Sequence, residues 1–582
     1  MNPNNSITMY KSLFIVSAFM VLSIFSNAQT LAEATQKTLS ERFESAETDF
    51  NAIIAKEPTA GANYAAAGYN FFYWGISDQD DAVELAEKME SAEKLFRKGM
   101  EVAPTNPLCY VGMGYLMAFR KDVNGCNTQF TKAEEIMNTK SNKVDKLVKQ
   151  QALLKMAEAC LIDNNVQLEK AIVYLNTALP FNDKNPEVYI QLGDYYRLRD
   201  GINQSNAIAQ YNKALEIDSK STRAILRKGM LYKRVQNWDE GLNYYNEAIA
   251  LDPSFAPAYR EKAELLKDAA RYPQAIEAYA RYKELNENCR VNQRYAMFVY
   301  LAKDYKNALI ELEKALPCND KNEYMYRVLG YTCYETGDYA KGLQYMDTYF
   351  NLAKETGKVK ISGGDYGQKG KLLSKSGQDS LALDMLKRAI TEDPSYIDGY
   401  NEVASILMKQ KKYEEAADYY QQKIDRSEKP APLDYYYLGQ SRYRNKEYAM
   451  ADTAFALAAS KYPDANFWRG RCKNGMEANP DQPEAGLAKP YHEKFIQLVG
   501  GDARTIEANK KNLMEAYNYL GIYYLIKKDY ECSRAAINKT LELDPANKIA
   551  TTLASDDSIS KASGTCELFP VQPSPSGGTG NE

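Results

Sequence analysis

The chain has 582 residues, with 73 lysines and arginines against 77 aspartates and glutamates and a formal net charge of −4. Both signs are interspersed along it, which leaves no electrostatic footprint for DNA or RNA and excludes nucleic acid as the expected partner. A single histidine rules out a histidine-rich metal site, and 46 tyrosines against 18 phenylalanines and 3 tryptophans weight the aromatic content toward rings with a polar end.

At the N-terminus Lys11 precedes an apolar run from Leu13 to Phe25, and Ser26-Asn27-Ala28 then offers small residues before a cut ahead of Gln29. The run falls short of the roughly 20 residues a spanning helix needs, so residues 1–28 read as a cleavable signal peptide, with translation starting at Met1 or Met9. No cysteine follows the run to accept lipid. The expectation is export to a bacterial periplasm, with any membrane or outer-membrane association made through a partner.

From there a period governs the chain. Gly114, Ala157, Gly193, Gly229, Ala263, Ala296, Gly330, Gly370, Ala404 and Gly439 stand mostly 33 to 36 residues apart. After Gly229 come Gly241, Tyr245, Ala248 and Pro253 at offsets of 12, 16, 19 and 24. Ala451, Phe455, Ala458 and Pro463 follow Gly439 at the same offsets, as Ala382, Leu386, Ala389 and Pro394 follow Gly370. A small residue lets two helices approach, a ring or large side chain one turn beyond fills the space between them, and proline ends the second helix. Each set is one helix–turn–helix unit.

These units resemble the tetratricopeptide repeat, most plainly at "ILRKGMLYKRVQNWDEGLNYYNEAIALDP" (225–253) and "YYYLGQSRYRNKEYAMADTAFALAASKYP" (435–463). The resemblance covers roughly Ala32 to Ala554 and implies an all-α fold, a right-handed α-solenoid superhelix of about 12 to 13 units. Residues 29–465 are expected as the solenoid, with a longer insertion between Gly68 and Ala92. Residues 466–502 are expected as an irregular repeat, because "CKNGMEANPDQPEAGLAKP" places three prolines where a second helix should start. A last unit and its capping helix take 503–555, and 556–582, rich in Ser, Gly and Pro, is expected to be a disordered tail. Within that tail "CELFP" (566–570) reads as a linear peptide for a partner or as a segment folding back.

Catalytic chemistry finds little support. His492 follows Pro490 in the irregular unit, where a solvated or locally hydrogen-bonded role is expected. The stretch "GGDYGQKGKLLS" (363–374) imitates a phosphate loop but has Asp365 and Leu372 where the motif needs glycine and Ser or Thr. Carboxylate pairs such as Glu414-Glu415 fall where second helices begin and suit the helix dipole. Neither an active site nor a cofactor is expected. Nine cysteines is an odd number for an oxidising compartment. Cys126, Cys160 and Cys333 stand where small apolar residues belong, and Cys289 and Cys318 are the best disulfide candidates, although one repeat of separation exceeds the reach of a bridge.

The family resemblance implies that first helices line a concave, partner-binding groove. Its inner stripe includes Leu226, Met230, Arg260, Glu264, Gln293, Met297, Tyr300, Arg327, Tyr331, Tyr334, Lys371, Tyr436 and Tyr443. The cluster chosen from it is Arg327 with Tyr300, Tyr331 and Tyr334, since Tyr and Arg anchor protein interfaces most often. The functional expectation is a non-enzymatic periplasmic scaffold or adaptor for envelope proteins, serving outer-membrane transport or secretion machinery. The alternative is a glycan- or peptidoglycan-associated protein, for which a tyrosine-lined groove would also serve.

Overall fold

The computed structural model describes residues 30–77, 82–162, 167–201, 203–286, 288–318 and 322–568. The expected leader lies outside them. Every regular element among them is helical, and the chain divides into two units, residues 1–320 and 321–582. The first holds eight consecutive helix pairs, from Leu31–Leu39 with Phe43–Lys56 to Cys289–Leu301 with Tyr305–Ala315; the second holds six, from Glu323–Thr336 with Tyr339–Thr356 to Ala503–Ile526 with Tyr530–Leu543, then two short helices. The fold is an all-α solenoid of helix pairs, as the period requires. No helix of the described residues is long and apolar enough to cross a membrane.

One packing rule recurs. A Cβ placed on Gly229 would lie 2.5 Å from the Tyr245 ring, and one on Gly439 would lie 2.8 Å from Phe455. Only a residue without a side chain lets those rings lie flat against the first helix.

The turn between paired helices recurs as strictly. Seven residues after the small residue the backbone enters the left-handed region, at Glu41, Lys121, Gln236, Ala270, Lys303, Gly337, Gly377, Lys411, Lys446 and Lys528. The following amide bonds back to the first helix, as in Asn237 N–H to Tyr232 C=O at 3.0 Å and Asp338 N–H to Cys333 C=O at 2.9 Å. Where that following residue is Asp or Asn it caps the second helix, as Asp122, Asn237, Asp304, Asp338 and Asp529 do.

Ahead of the Gly68 unit, within the expected solenoid, a further pair has Ala34, Ala46 and Phe50 all buried at the repeat offsets. Two expectations need correction. In the irregular region, Asp464–Gly475 and Lys489–Val499 pack as an ordinary pair: a Cβ on Gly470 would meet His492 Cε1 at 2.5 Å, so His492 fills the place of the repeat aromatic. It is 2 % exposed, 4.9 Å from the Tyr519 ring and 5.9 Å from Phe467, and not solvated. Desolvation, helped by Arg471, lowers its pKa to about 3. The inserted loop 476–488 moves the filling residue from offset 16 to offset 22, which hides the pair from a fixed period.

Finally, the tail does not begin at 556. Asp557–Ser560 is helical, Ile559 is buried, and Cys566 is joined to Cys532 across a Cα separation of 5.0 Å. The segment 562–566 is held further by Arg534, which donates to the Ala562 carbonyl and, at 2.8 Å, to that of Gly564. Cys289 is also disulfide-bonded; the side chain of Cys318, the other member of the expected pair, lies outside the described residues. Cys109, Cys126, Cys160, Cys333 and Cys472 are buried. Burial pushes the thiols of Cys109, Cys160 and Cys472 up to about 12, which keeps them protonated and unreactive.

Candidate functional site

The first unit contains a cavity of about 520 Å³. Three consecutive first helices build one wall: Thr222–Arg234, Ala256–Asp268 and Cys289–Leu301. Ser221 and Asn288 cap the outer two, and Pro257 opens the middle one. Arg223 and Arg227, Arg260, and Arg290 and Arg294 all line the cavity, together with Leu226 and Met230. The arginine pairs lie four residues apart on one helix face, at the same two positions before Gly229 and before Ala296.

Carboxylates of the neighbouring repeats hold these guanidinium groups. Arg227 Nε donates to Asp194 Oδ2 at 3.1 Å, Arg294 Nε donates to Glu264 Oε1 at 3.0 Å, and Arg223 pairs with Glu187. Asp194 raises the Arg227 pKa further, so the charge is permanent. On the opposite side Tyr73 donates to Glu158 at 2.8 Å, and Lys155 pairs with the same carboxylate at 2.7 Å. Burial alone would raise the Glu158 pKa, but Lys155 and Arg223 outweigh it and hold the group ionised.

The remaining wall comes from the N-terminal pair. Glu41, in its left-handed turn at φ 58°, projects into the cavity. Arg260 Nη2 donates to Glu41 Oε1 at 2.8 Å and Nε donates to Oε2 at 3.1 Å, while the buried Tyr282 hydroxyl adds a bond at 3.0 Å. A carboxylate is thus held by a planar fork of donors in a partly enclosed cavity, where such bonds are strongest.

The residues chosen from the sequence are distributed differently. Arg327 and Tyr331, in the second unit, face the structure itself: Arg327 Nε lies 2.5 Å and the Tyr331 hydroxyl 2.9 Å from Asp365 Oδ1. The Tyr349 hydroxyl and Ser362 satisfy the other oxygen at 3.0 and 2.7 Å. Asp365 is 1 % exposed, so this is an inter-repeat latch and not an open anchor. Tyr334 packs 6.0 Å from Tyr339, and the Lys371 ammonium stands 5.9 Å from the Tyr396 ring. Tyr436 donates to Asp464 at 2.5 Å and accepts from Trp468 at 2.9 Å; Tyr443 meets Trp468 edge-on at 5.2 Å. Gln293, Met297 and Tyr300 lie on Cys289–Leu301 in the first unit. Of the expected stripe, Leu226, Met230 and Arg260 do line the cavity. The arginines two and six residues before the small residue were missed, although their repetition before Gly229 and Ala296 is visible in the sequence.

A tetratricopeptide repeat profile matches residues 226–288 and 368–429. The chain is similar to the C-terminal part of a TPR repeat-containing protein from Cytophaga hutchinsonii, at 30% identity over 45% of this chain and 99% of that one, with a TM-score of 0.39. It is similar also to pilF from Pseudomonas aeruginosa, at 20% identity over 39% of this chain and 98% of that one (TM-score 0.31). A tetratricopeptide repeat protein from Parabacteroides merdae matches at 17% identity over 45% and 99% (TM-score 0.28). Proteins built of this repeat are, in general, scaffolds that bind other proteins. By the profile match over residues 226–288 and 368–429 and by its consecutive helix pairs, the chain is built of tetratricopeptide repeats.

Proposed function

We propose that this chain is an exported, non-catalytic scaffold of a bacterial cell envelope that holds a segment of a partner protein in the arginine-lined cavity of its first unit. The observation that carries the reading is that cavity: permanently charged donors from three successive repeats, oriented by neighbouring carboxylates, around a space sized for a peptide segment. Envelope transport or secretion machinery is the expected setting.

Export is supported by the apolar run Leu13 to Phe25 and by the disulfides at Cys532–Cys566 and Cys289, since such bonds persist in oxidising compartments. The non-catalytic part is supported by His492, whose burial and lowered pKa leave it no proton to exchange near neutrality. The test is fractionation of cells producing a tagged chain, followed by capture of its partner. The mature protein should leave the cytoplasm without its first 28 residues, and Arg227→Glu with Arg294→Glu should abolish a capture that wild type makes. An intact leader on a cytoplasmic protein, or capture that survives both charge reversals, overturns the reading.

A further inference from the structure

We infer that Glu41 is an internal stand-in for the ligand of the first-unit cavity, and that the natural occupant is an acidic segment of a partner protein whose side-chain carboxylate displaces it from Arg260. The inference rests on the scaffold reading above and specifies its chemistry.

Two independent observations carry it. The first is the contact: the Glu41 carboxylate is received by the Nε–Nη2 edge of the Arg260 guanidinium, across 219 residues of sequence, and by the Tyr282 hydroxyl, across 241. The site therefore has the geometry that a carboxylate requires. The second is positional. Glu41 is the turn residue seven after the small residue of its repeat, and at that place the other repeats carry Lys121, Gln236, Ala270, Lys303, Gly337, Gly377, Lys411, Lys446 and Lys528. Among the described turns of this kind the acidic residue occurs at the one whose side chain enters the cavity. A left-handed turn does not favour glutamate for its own sake, so local conformation gives no reason for it.

The contact is also built to be reversible. Glu41 lies in the turn of the pair Leu31–Leu39 with Phe43–Lys56. The pair is held to the next one elsewhere, by Thr38 donating to Asn70 at 2.7 Å, by Asn70 donating to the Phe43 carbonyl at 3.1 Å and by burial of Ala34 and Phe50. A rotation of the Glu41 side chain alone thus frees the Nε–Nη2 edge of Arg260, whose Nη1 stays on Glu261 at 2.8 Å, without undocking the helices. Arg227 uses Nε on Asp194 and Nη1 on Met230 Sδ, and Arg223 uses Nη1 on Glu187, so each keeps its Nη2 for successive acidic residues. A tethered carboxylate competes at high effective concentration, so an incoming segment needs more than one acidic side chain to replace it.

The test uses the full mature chain and two capped peptides, Ac-(Gly-Glu)4-NH2 and Ac-(Gly-Gln)4-NH2, with binding followed by fluorescence anisotropy. Glu41→Gln should bind the Glu peptide about tenfold more tightly than wild type, as expected when a competing internal state is removed. Arg227→Ala should lose about tenfold, and the Gln peptide should bind neither protein. Equal affinity in wild type and Glu41→Gln, or equal binding of both peptides, overturns the inference. A photocrosslinker at Met230 run in parallel separates the two levels. Capture of a partner there, with no effect of Glu41→Gln, leaves the scaffold reading standing and removes the stand-in; absence of capture in both proteins removes the cavity reading itself.

Discussion

Glu41 and Arg260 form a two-point ion pair, at 2.8 and 3.1 Å, between the turn of the first helix pair and the inner face of the seventh. Arg260 is flanked as well by Glu261 at 2.8 Å. Removing the cation therefore leaves Glu41 with the Tyr282 hydroxyl alone and Glu261 with Lys233 at 3.5 Å, whereas removing Glu41 leaves Arg260 paired with Glu261. Arg260→Ala should destabilise the first unit by about 2 kcal/mol, below the ~3–5 kcal/mol of a fully buried pair because the Arg260 side chain is 31 % exposed. Glu41→Gln should cost under about 1 kcal/mol. Hydrogen exchange of the Phe43–Lys56 amides in the three proteins checks the order.

Asp365 ties the long loop before Gly363–Lys375 to the preceding repeat through Arg327, Tyr331, Tyr349 and Ser362. Burial acts to raise its pKa, but the Ser362 bonds, Tyr331 and Arg327 outweigh it and hold the carboxyl below its ordinary 3.8. With the folded pKa depressed, the unfolded chain takes up the proton first, so the stabilisation is complete above about pH 4 and is lost as pH falls below that value. Asp365→Asn should lower the stability of the second unit by about 3 kcal/mol at pH 7 and remove this part of the acid sensitivity. Thermal melts between pH 3 and pH 7 measure both.

His492 contributes a second acid response in a different window. Its folded pKa of about 3 lies below the ordinary 6.5, so the unfolded state binds the extra proton as pH falls below 6.5, and stability declines from there toward pH 3 by up to about 4 kcal/mol. His492→Phe keeps a ring in the place packed against Gly470 and should flatten the decline between pH 6 and pH 4. Gly470→Ala should cost about 2 to 3 kcal/mol by overpacking, since its new methyl meets the imidazole at 2.5 Å. A pH series of melts on the three proteins separates titration from packing.

The Cys532–Cys566 bond closes a sequence separation of 34, for which loop-closure entropy gives about 3 to 4 kcal/mol. Cys566→Ser, or reduction of the wild type, should expose the segment 556–568 to protease while leaving the helices before Tyr530 protected. Peptide mapping without reductant should recover the linked pair from protein taken from cells.

How much of this could be read in advance depended on the range of the interaction. The small residue and its filler sit on adjacent helices of one pair, so Gly229 with Tyr245 and Gly439 with Phe455 are written at a fixed spacing. Gly470 with His492 obeys the same rule but was concealed by the loop 476–488, which shifts the register without changing the packing. The left-handed turns were equally periodic, but a Lys or Gln there looks like ordinary surface, so the exception at Glu41 stood out only once its side chain was placed. The meeting of Glu41 with Arg260 could not be anticipated: rotation accumulated over stacked pairs brings these residues together, and no local pattern encodes that sum. Arg327 and Tyr331 were visible as a cluster, but the buried acid that occupies them lies beyond an inter-repeat loop, and reading the stripe alone left it out.

The most direct measurement is in-cell photocrosslinking with a single benzoylphenylalanine placed in turn at Met230, in the first-unit cavity, and at Lys371 and Tyr443, on the stripe of the second unit. A discrete crosslink from Met230 to one envelope protein, lost on Arg227→Glu, is expected, with no equivalent product from Lys371 or Tyr443. A discrete product from Lys371 or Tyr443 with none from Met230 would contradict that expectation and move the partner site to the second unit.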